Sequence, residues 1–239
     1  MPEKPLREDS VAGNQPIKVV ACEVLKEELL AVAPSGLEFQ YVSMGLHTYP
    51  DKLRQELQSI LDQSVGYERI ILAFGLCGGA ASGLLARHTI VTIPRVHDCI
   101  PLFLGSTQRY EELHQTQKGT FYHTCGWVSD RAFAGKSFLS EHRRIVQRHG
   151  EAKAKSILKR MYDSYTRVLF IATQNSEIDT ALARSREMAG ILNLQHERTN
   201  GDSAYLAKIV NGPWDDNDFI NLSPQQAVDE FAFLAMSQA

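Results

Sequence analysis

Four cysteines stand at positions 22, 77, 99 and 125 of a 239-residue chain. A thiol ligates a metal or attacks an electrophile as its thiolate, so the surroundings of each cysteine decide what it can do. Cys77 lies within Gly75-Leu76-Cys77-Gly78-Gly79, and Cys99 closes the run His97-Asp98-Cys99. Three chemistries fit these residue types. Cys22, Cys77 and Cys99, joined by His97 or Cys125, form a donor set for zinc or a similar ion; three protein ligands with an open position suit catalysis, and four closed ligands suit structure. The same three cysteines can hold an iron–sulfur cluster with one iron left open. Without a metal, Cys77 or Cys99 becomes a nucleophile or acid–base thiol tuned by His97. Gly75, Gly78 and Gly79 let the backbone turn sharply and come close to a bound group. The catalytic set expected on these grounds is Cys77, His97 and Asp98, with Cys22, Cys77, Cys99 and His97 as metal donors.

Plainer roles compete with each of these. Free cysteine is among the most buried residue types, so Cys22, flanked by strand residues, also reads as core, and Cys125 reads as structural. Asp98 has the commonest job of an aspartate before a helix, capping it. His97 can simply hydrogen-bond a loop carbonyl, and nothing nearby supports a role for His123. No CxxC pair is present, and the glycines around Cys77 match neither the Gly-Lys-Ser/Thr phosphate loop nor the GxGxxG dinucleotide order.

The elements that must position these residues alternate between strand and helix. Ile17 to Cys22 and Leu37 to Val42 are β-branched or aromatic runs, and the segment between them carries helical spacing. Leu53, Leu57, Ile60 and Leu61 mark one face of an amphipathic helix. Arg69 to Phe74 is a continuous apolar strand, and a small-residue helix is expected from the Cys77 glycines to Ala86. Thr89 to Ile93 is the next strand, with Pro101 in the first turn of the helix behind it. A long helix is expected over Ser140 to Tyr162, a strand over Arg167 to Ala172, and a terminal helix from Pro224. This alternation predicts an α/β fold with a mostly parallel, doubly wound (Rossmann-like) sheet, as one body or as two βαβ lobes with a cleft between them. The expected division is a flexible tail over 1–16, an N-terminal lobe over 17–135 carrying the Cys/His rim, and a C-terminal lobe over 136–239. Ligands of such sheets bind beyond the C-terminal strand ends, where Cys22, Cys77 and Cys99 all fall.

Lys plus Arg number 25 against 28 for Asp plus Glu, a formal net charge of -3, and no basic run interleaves with aromatics. Nucleic acid is therefore not an expected partner. No apolar stretch approaches the roughly 20 residues of a membrane span, and Met1 to Pro16 lacks the apolar core of a secretion signal. The expectation is a cytoplasmic protein with reduced thiols, a small-molecule substrate, and a homodimer of the kind common in this class.

Gly75-Leu76-Cys77-Gly78, Pro94-Arg95-Val96-His97-Asp98-Cys99-Ile100 and Leu104-Gly105-Ser106 resemble the signature of a prokaryotic family known as domain of unknown function 1638. Tyr122 with Gly126-Trp127, and Asn211-Gly212-Pro213-Trp214-Asp215 before Phe219, resemble it too, so the likeness runs over most of the chain. Cys22 falls where members carry a cysteine after the first strand, and Cys125 falls outside the pattern. The resemblance implies no established activity. Members are often encoded near corrinoid-dependent methyltransferases, which implies methyl or one-carbon metabolism and a corrinoid protein or methyltransferase as partner. An enzyme and a non-catalytic accessory both fit that implication.

Overall fold

The computed structural model describes residues 16–129 and 137–233. The tail expected over 1–16 lies outside the described residues but for Pro16. The chain runs β1 (Ile17–Cys22), α1 (Lys26–Val32), β2 (Glu38–Val42), α2 (Pro50–Gln63), β3 (Arg69–Ala73), β4 (Leu85–Ala86) and β5 (Ile90–Pro94). It continues through α3 (Ile100–Leu104), α4 (Thr107–Thr116), β6 (Thr120–His123), α5 (Cys125–Val128), α6 (Phe138–His149) and α7 (Glu151–Met161). Then come β7 (Arg167–Ala172), α8 (Ile178–Leu192), β8 (Gln195–Asn200), α9 (Ala204–Asn211), β9 (Phe219–Leu222) and β10 (Gln226–Ala227). The chain is thus mixed α/β.

The larger sheet has the order β2-β1-β3-β5-β9. The first four strands are parallel, and β9 closes the edge antiparallel to β5. Ile70, Ile71, Leu72 and Ala73 of β3 are all buried, which is why its sequence is continuously apolar rather than alternating. Leu53, Leu57, Ile60 and Leu61 of α2 are buried at the helical spacing that marked them. From β1 the chain adds β2 on one side and every later strand on the other, so the order reverses between β1 and β3. In open α/β sheets such a reversal leaves a crevice outside the carboxyl ends of the strands flanking it. Cys22 ends one of those strands and Cys77 follows the other.

A second, parallel sheet has the order β6-β7-β8. All six residues of β7 are buried. The segment from α9 onward leaves this sheet, packs α9 on α1 and α3, and supplies β9 to the larger one.

Three expected helices take another form. No helix follows Cys77: residues 77–83 are turns leading to β4. Gly78, Gly79 and Gly83 have φ of +66°, +91° and +74°, left-handed values that interrupt a right-handed helix. The long helix over Ser140 to Tyr162 is two, α6 and α7, divided at Gly150 with φ +76°. In place of a helix from Pro224, β10 pairs with β4 and a short 3-10 turn (Glu230–Phe233) follows.

The second sheet carries a buried polar chain. His123 is 1% exposed, its Nδ1 lies 2.9 Å from Ser185 Oγ, and the same oxygen lies 2.9 Å from His196 Nε2. Burial, with His196 adding to it, pushes the His123 pKa from 6.5 down to about 3. An unfolded chain protonates this imidazole at a higher pH than the folded one does. Stability from this group is therefore complete above pH 6.5 and falls as pH drops toward 3. Urea melts of wild type and His123→Gln across this range should show the wild type losing stability more steeply on acidification. Parallel curves would remove His123 from the acid response.

Candidate functional site

The C-terminal edge of the larger sheet is assembled by backbone fit. Cys22 is the last residue of β1, Cys77 lies in the turn after β3, and Cys99 precedes α3. The loops after β3 and β5 continue the parallel pairing of their strands. Leu76 N–H donates to Val96 O and Cys77 N–H donates to His97 O, both at 2.9 Å. Only a glycine fits at position 75, because a Cβ there would stand 2.7 Å from Val96 O and 2.8 Å from Asp98 N.

Cys77 itself has φ +49°, a left-handed conformation that costs a non-glycine residue about 1 kcal/mol or more. Gly75-x-Cys77-x-Gly79 is also the small–x–nucleophile–x–small pattern that exposes a nucleophile on a sharp turn after a strand. The pattern was legible in the sequence, but its significance depends on the φ that only the fold supplies. Here a run of turns, not a helix, follows.

Cys22, Cys77 and Cys99 are 2%, 7% and 5% exposed and belong to one core cluster, and all four cysteines are free thiols. Burial pushes the Cys22 and Cys77 thiols up to about 12 and the Cys99 thiol well above its ordinary range. Charge adds to burial: Cys77 and Glu23 act on Cys22, Asp98 acts on Cys77, and Asp98, Cys22 and Cys77 act on Cys99. The three thiols therefore sit within electrostatic reach of one another. Against burial, the Val24 N–H favours the thiolate of Cys22, the Gly75 N–H that of Cys77 and the Trp127 side chain that of Cys99. Among the described residues, no cationic side chain acts on any of the three. Among the described residues, no group of three or more His, Cys, Asp or Glu side chains is placed to hold a metal ion.

The other expected residues have distinct placements. The His97 side chain is exposed, and its carbonyl carries the bond to Cys77. Asp98 Oδ1 accepts at 2.8 Å from the N–H of Ile100, the first residue of α3, but the N-cap position itself belongs to Cys99 and not, as expected, to Asp98. Burial raises the Asp98 carboxyl pKa, opposed by that N–H and by His97 and His114. Gly78 and Gly79 extend the left-handed run begun at Cys77. Cys125 packs in the other core cluster, where Glu28 and Glu177 act on its thiol and Thr173 opposes them.

Three aromatic residues of the site were not singled out by residue chemistry. Trp127 reaches Cys99 because α5 lies hard against the segment after β1: a Cβ on Gly126 would stand 2.5 Å from Val24 O. Tyr110 and Tyr122 lie with ring centroids 5.7 Å apart. Burial, with the Asp98 charge and Tyr122, pushes the Tyr110 phenol up to about 12. The Tyr122 hydroxyl is buried without a hydrogen-bond partner among the described residues. Other motif residues hold the frame together. The Arg95 guanidinium donates to the Ala232, Asp216 and Phe219 carbonyls, and Arg69 lies 4.6 Å over the Trp214 ring. Ser106 Oγ caps α4 by accepting from Arg109 N–H at 3.2 Å.

The family model described as "Protein of unknown function (DUF1638)" matches residues 41–210 of the 239. Cys77, His97, Cys99 and Trp127 fall inside that span, and Cys22 lies before it. No curated protein and no solved structure matches the chain.

Proposed function

Since the chain belongs to the DUF1638 family, whose description assigns no activity, its function has to be read from the site, and we propose that Cys22, Cys77 and Cys99 bind a soft metal ion as thiolates. The observation that carries this reading is the set of three thiols buried in one cluster and within reach of one another's charge, each beside an N–H group that favours its thiolate. Such donors offset negative charge on metal-bound sulfur. A bound cation would replace protons that burial otherwise holds on the sulfurs, and it would supply the positive charge these thiols lack. The sulfurs do not form a ready-made shell, so loading has to draw them together. His97 and Asp98 are the candidates for a further donor or a base, and Asp98 already acts on Cys77 and Cys99.

Zinc is the first choice of ion, and an iron–sulfur cluster on the same cysteines is the alternative. A zinc-like ion with an open position lowers the pKa of a bound thiol or similar methyl acceptor. The protein would then serve a small substrate in methyl or one-carbon metabolism, alone or beside a corrinoid methyltransferase. We read the larger sheet as doubly wound and Rossmann-like, because its order reverses at the pair β1/β3 that carries Cys22 and Cys77.

A second reading is favoured by the left-handed Cys77 alone: a metal-free enzyme with Cys77 as nucleophile. Purification without oxygen, followed by metal analysis and an absorption spectrum on the same sample, separates the two. About one zinc per chain without visible absorption supports zinc, and several irons with a broad visible band support the cluster. Absence of stoichiometric metal, with none taken up on reconstitution, overturns the metal reading and leaves Cys77 as nucleophile.

A further inference from the structure

The C-terminal edge of the second sheet holds a cavity of about 320 Å³ that no part of the thiol site uses. Its walls come from the ends of β7 and β8, from α1 and from the start of α9. This is the strand-end position at which parallel α/β sheets take ligands. The chain is drawn tightly past it. Gly201 N–H donates to Ala172 O at 2.7 Å, and a Cβ on Gly201 would stand 2.8 Å from the Thr173 methyl and 2.9 Å from Phe103 O.

Two groups of opposite charge line this cavity without pairing to one another. Glu28, on α1, is a carboxyl only 4% exposed. Its Oε1 accepts from Thr173 Oγ1 at 2.7 Å and from Asn175 Nδ2 at 3.2 Å, so one oxygen is held in place by residues after β7. Arg198, on β8, is exposed and has no ion-pair or hydrogen-bond partner among the described residues. The third charged group is Asp202, whose Oδ1 is taken up by the Ala204 N–H at 2.8 Å. Ala31, Val32, Ile178 and Leu206 give the cavity an apolar lining.

We propose that this cavity binds a small zwitterionic α-amino carboxylate, with its carboxylate on Arg198 and its ammonium on Glu28. A guanidinium without a partner matches a carboxylate bidentately. A buried carboxyl held at one oxygen leaves the other for an ammonium. The ammonium is required as well as the carboxylate, because Glu28 also lines a neighbouring cavity with Glu23, Glu27 and Glu177, where Lys26 is the one cation among the described residues. The field of those carboxylates opposes a ligand that is only anionic. The volume lies at the small end of ligand cavities, which run from about 300 Å³ upward, so the ligand is of amino-acid size with a short apolar side chain.

The test is ligand-observed saturation-transfer NMR on the full chain with L-alanine and L-valine. Each is compared with its amide, which lacks the carboxylate, and with propionate or isovalerate, which lack the ammonium. The amino acids are expected to bind at least about tenfold more tightly than either analogue, and Arg198→Gln is expected to erase the preference for acid over amide. Arg198 is exposed and unpaired, so its replacement leaves the fold intact. Cys77→Ser is expected to leave binding unchanged, which separates this site from the thiols. Equal binding of acid and amide to the wild type, wild-type preference in Arg198→Gln, or no amino-acid signal at millimolar concentration would each overturn the proposal.

Discussion

Exchanging Cys77 for serine is expected to reduce retained metal more than about tenfold, and the same loss is expected from Cys22→Ser and Cys99→Ser. Equality among the three is the point of the experiment. A hydroxyl at any one position cannot supply a soft thiolate, and two remaining sulfurs are too few to hold the ion. Cys125→Ser serves as the control, because Cys125 packs with Glu28, Glu177 and Thr173 instead of the other thiols. It is expected to keep full metal. A nucleophile at Cys77 gives a different pattern: Cys77→Ser is then inert, Cys22→Ser is mild, and neither changes metal content. The burial of the thiols adds a second readout. Cys22 and Cys77, pushed up to about 12, are protonated at neutral pH in metal-free protein. Metal uptake must release those protons, so affinity should rise with pH. Affinity independent of pH would show that these thiols are not the ligands.

The second large effect is expected at Gly75, where alanine should destabilise the fold by about 2–4 kcal/mol. The added Cβ would meet Val96 O at 2.7 Å, Asp98 N at 2.8 Å and His97 C at 2.9 Å. All three are backbone atoms of the loop bonded to Leu76 and Cys77, so no side chain can swing aside. The loop carrying Asp98 and Cys99 must move, and the thiol cluster is expected to be lost with it. Gly66→Ala isolates the other cost. Gly66 has φ +88° and open space around its Cβ position, so alanine should cost only about 1 kcal/mol there. Gly190, exposed in α8 with neither a clash nor a positive φ, should gain up to about 1 kcal/mol as alanine. Urea denaturation of the three variants ranks them. A Gly75→Ala protein no less stable than Gly66→Ala would refute the tight loop contact.

Much of the frame was written locally. The apolar run of β3, the helical spacing of Leu53, Leu57, Ile60 and Leu61, and the strand–helix alternation all follow from short-range periodicity. Two elements differ in type from the local pattern, one for a local reason and one for a long-range one. The small residues after Cys77 do not form a helix, because Gly78, Gly79 and Gly83 adopt left-handed φ values. The segment from Pro224 pairs with β4, a partner far away in sequence. Trp127 was legible only as part of a family motif, because nothing in its own neighbourhood points to Cys99. Glu28 was not legible at all: it lies among helix residues whose spacing marks Leu25 and Leu29 as core, and an acid there reads as solvated.

The sequence by itself determined which residues could do chemistry, that Cys22 would end a strand and Cys77 follow one, and that the strands would lie in a mostly parallel sheet. Hydrophobic period and backbone stereochemistry act over a few residues, so these features survive without knowledge of the partner segments. Tertiary structure alone decided that β1 and β3 are neighbours at the reversal of strand order, which sets Cys22 beside Cys77. It also decided that α5 would carry Trp127 to Cys99, and that Glu28 and Arg198 would share a cavity. Those outcomes depend on long-range pairing and close backbone approach, which are properties of the packed chain and not of any short stretch of it.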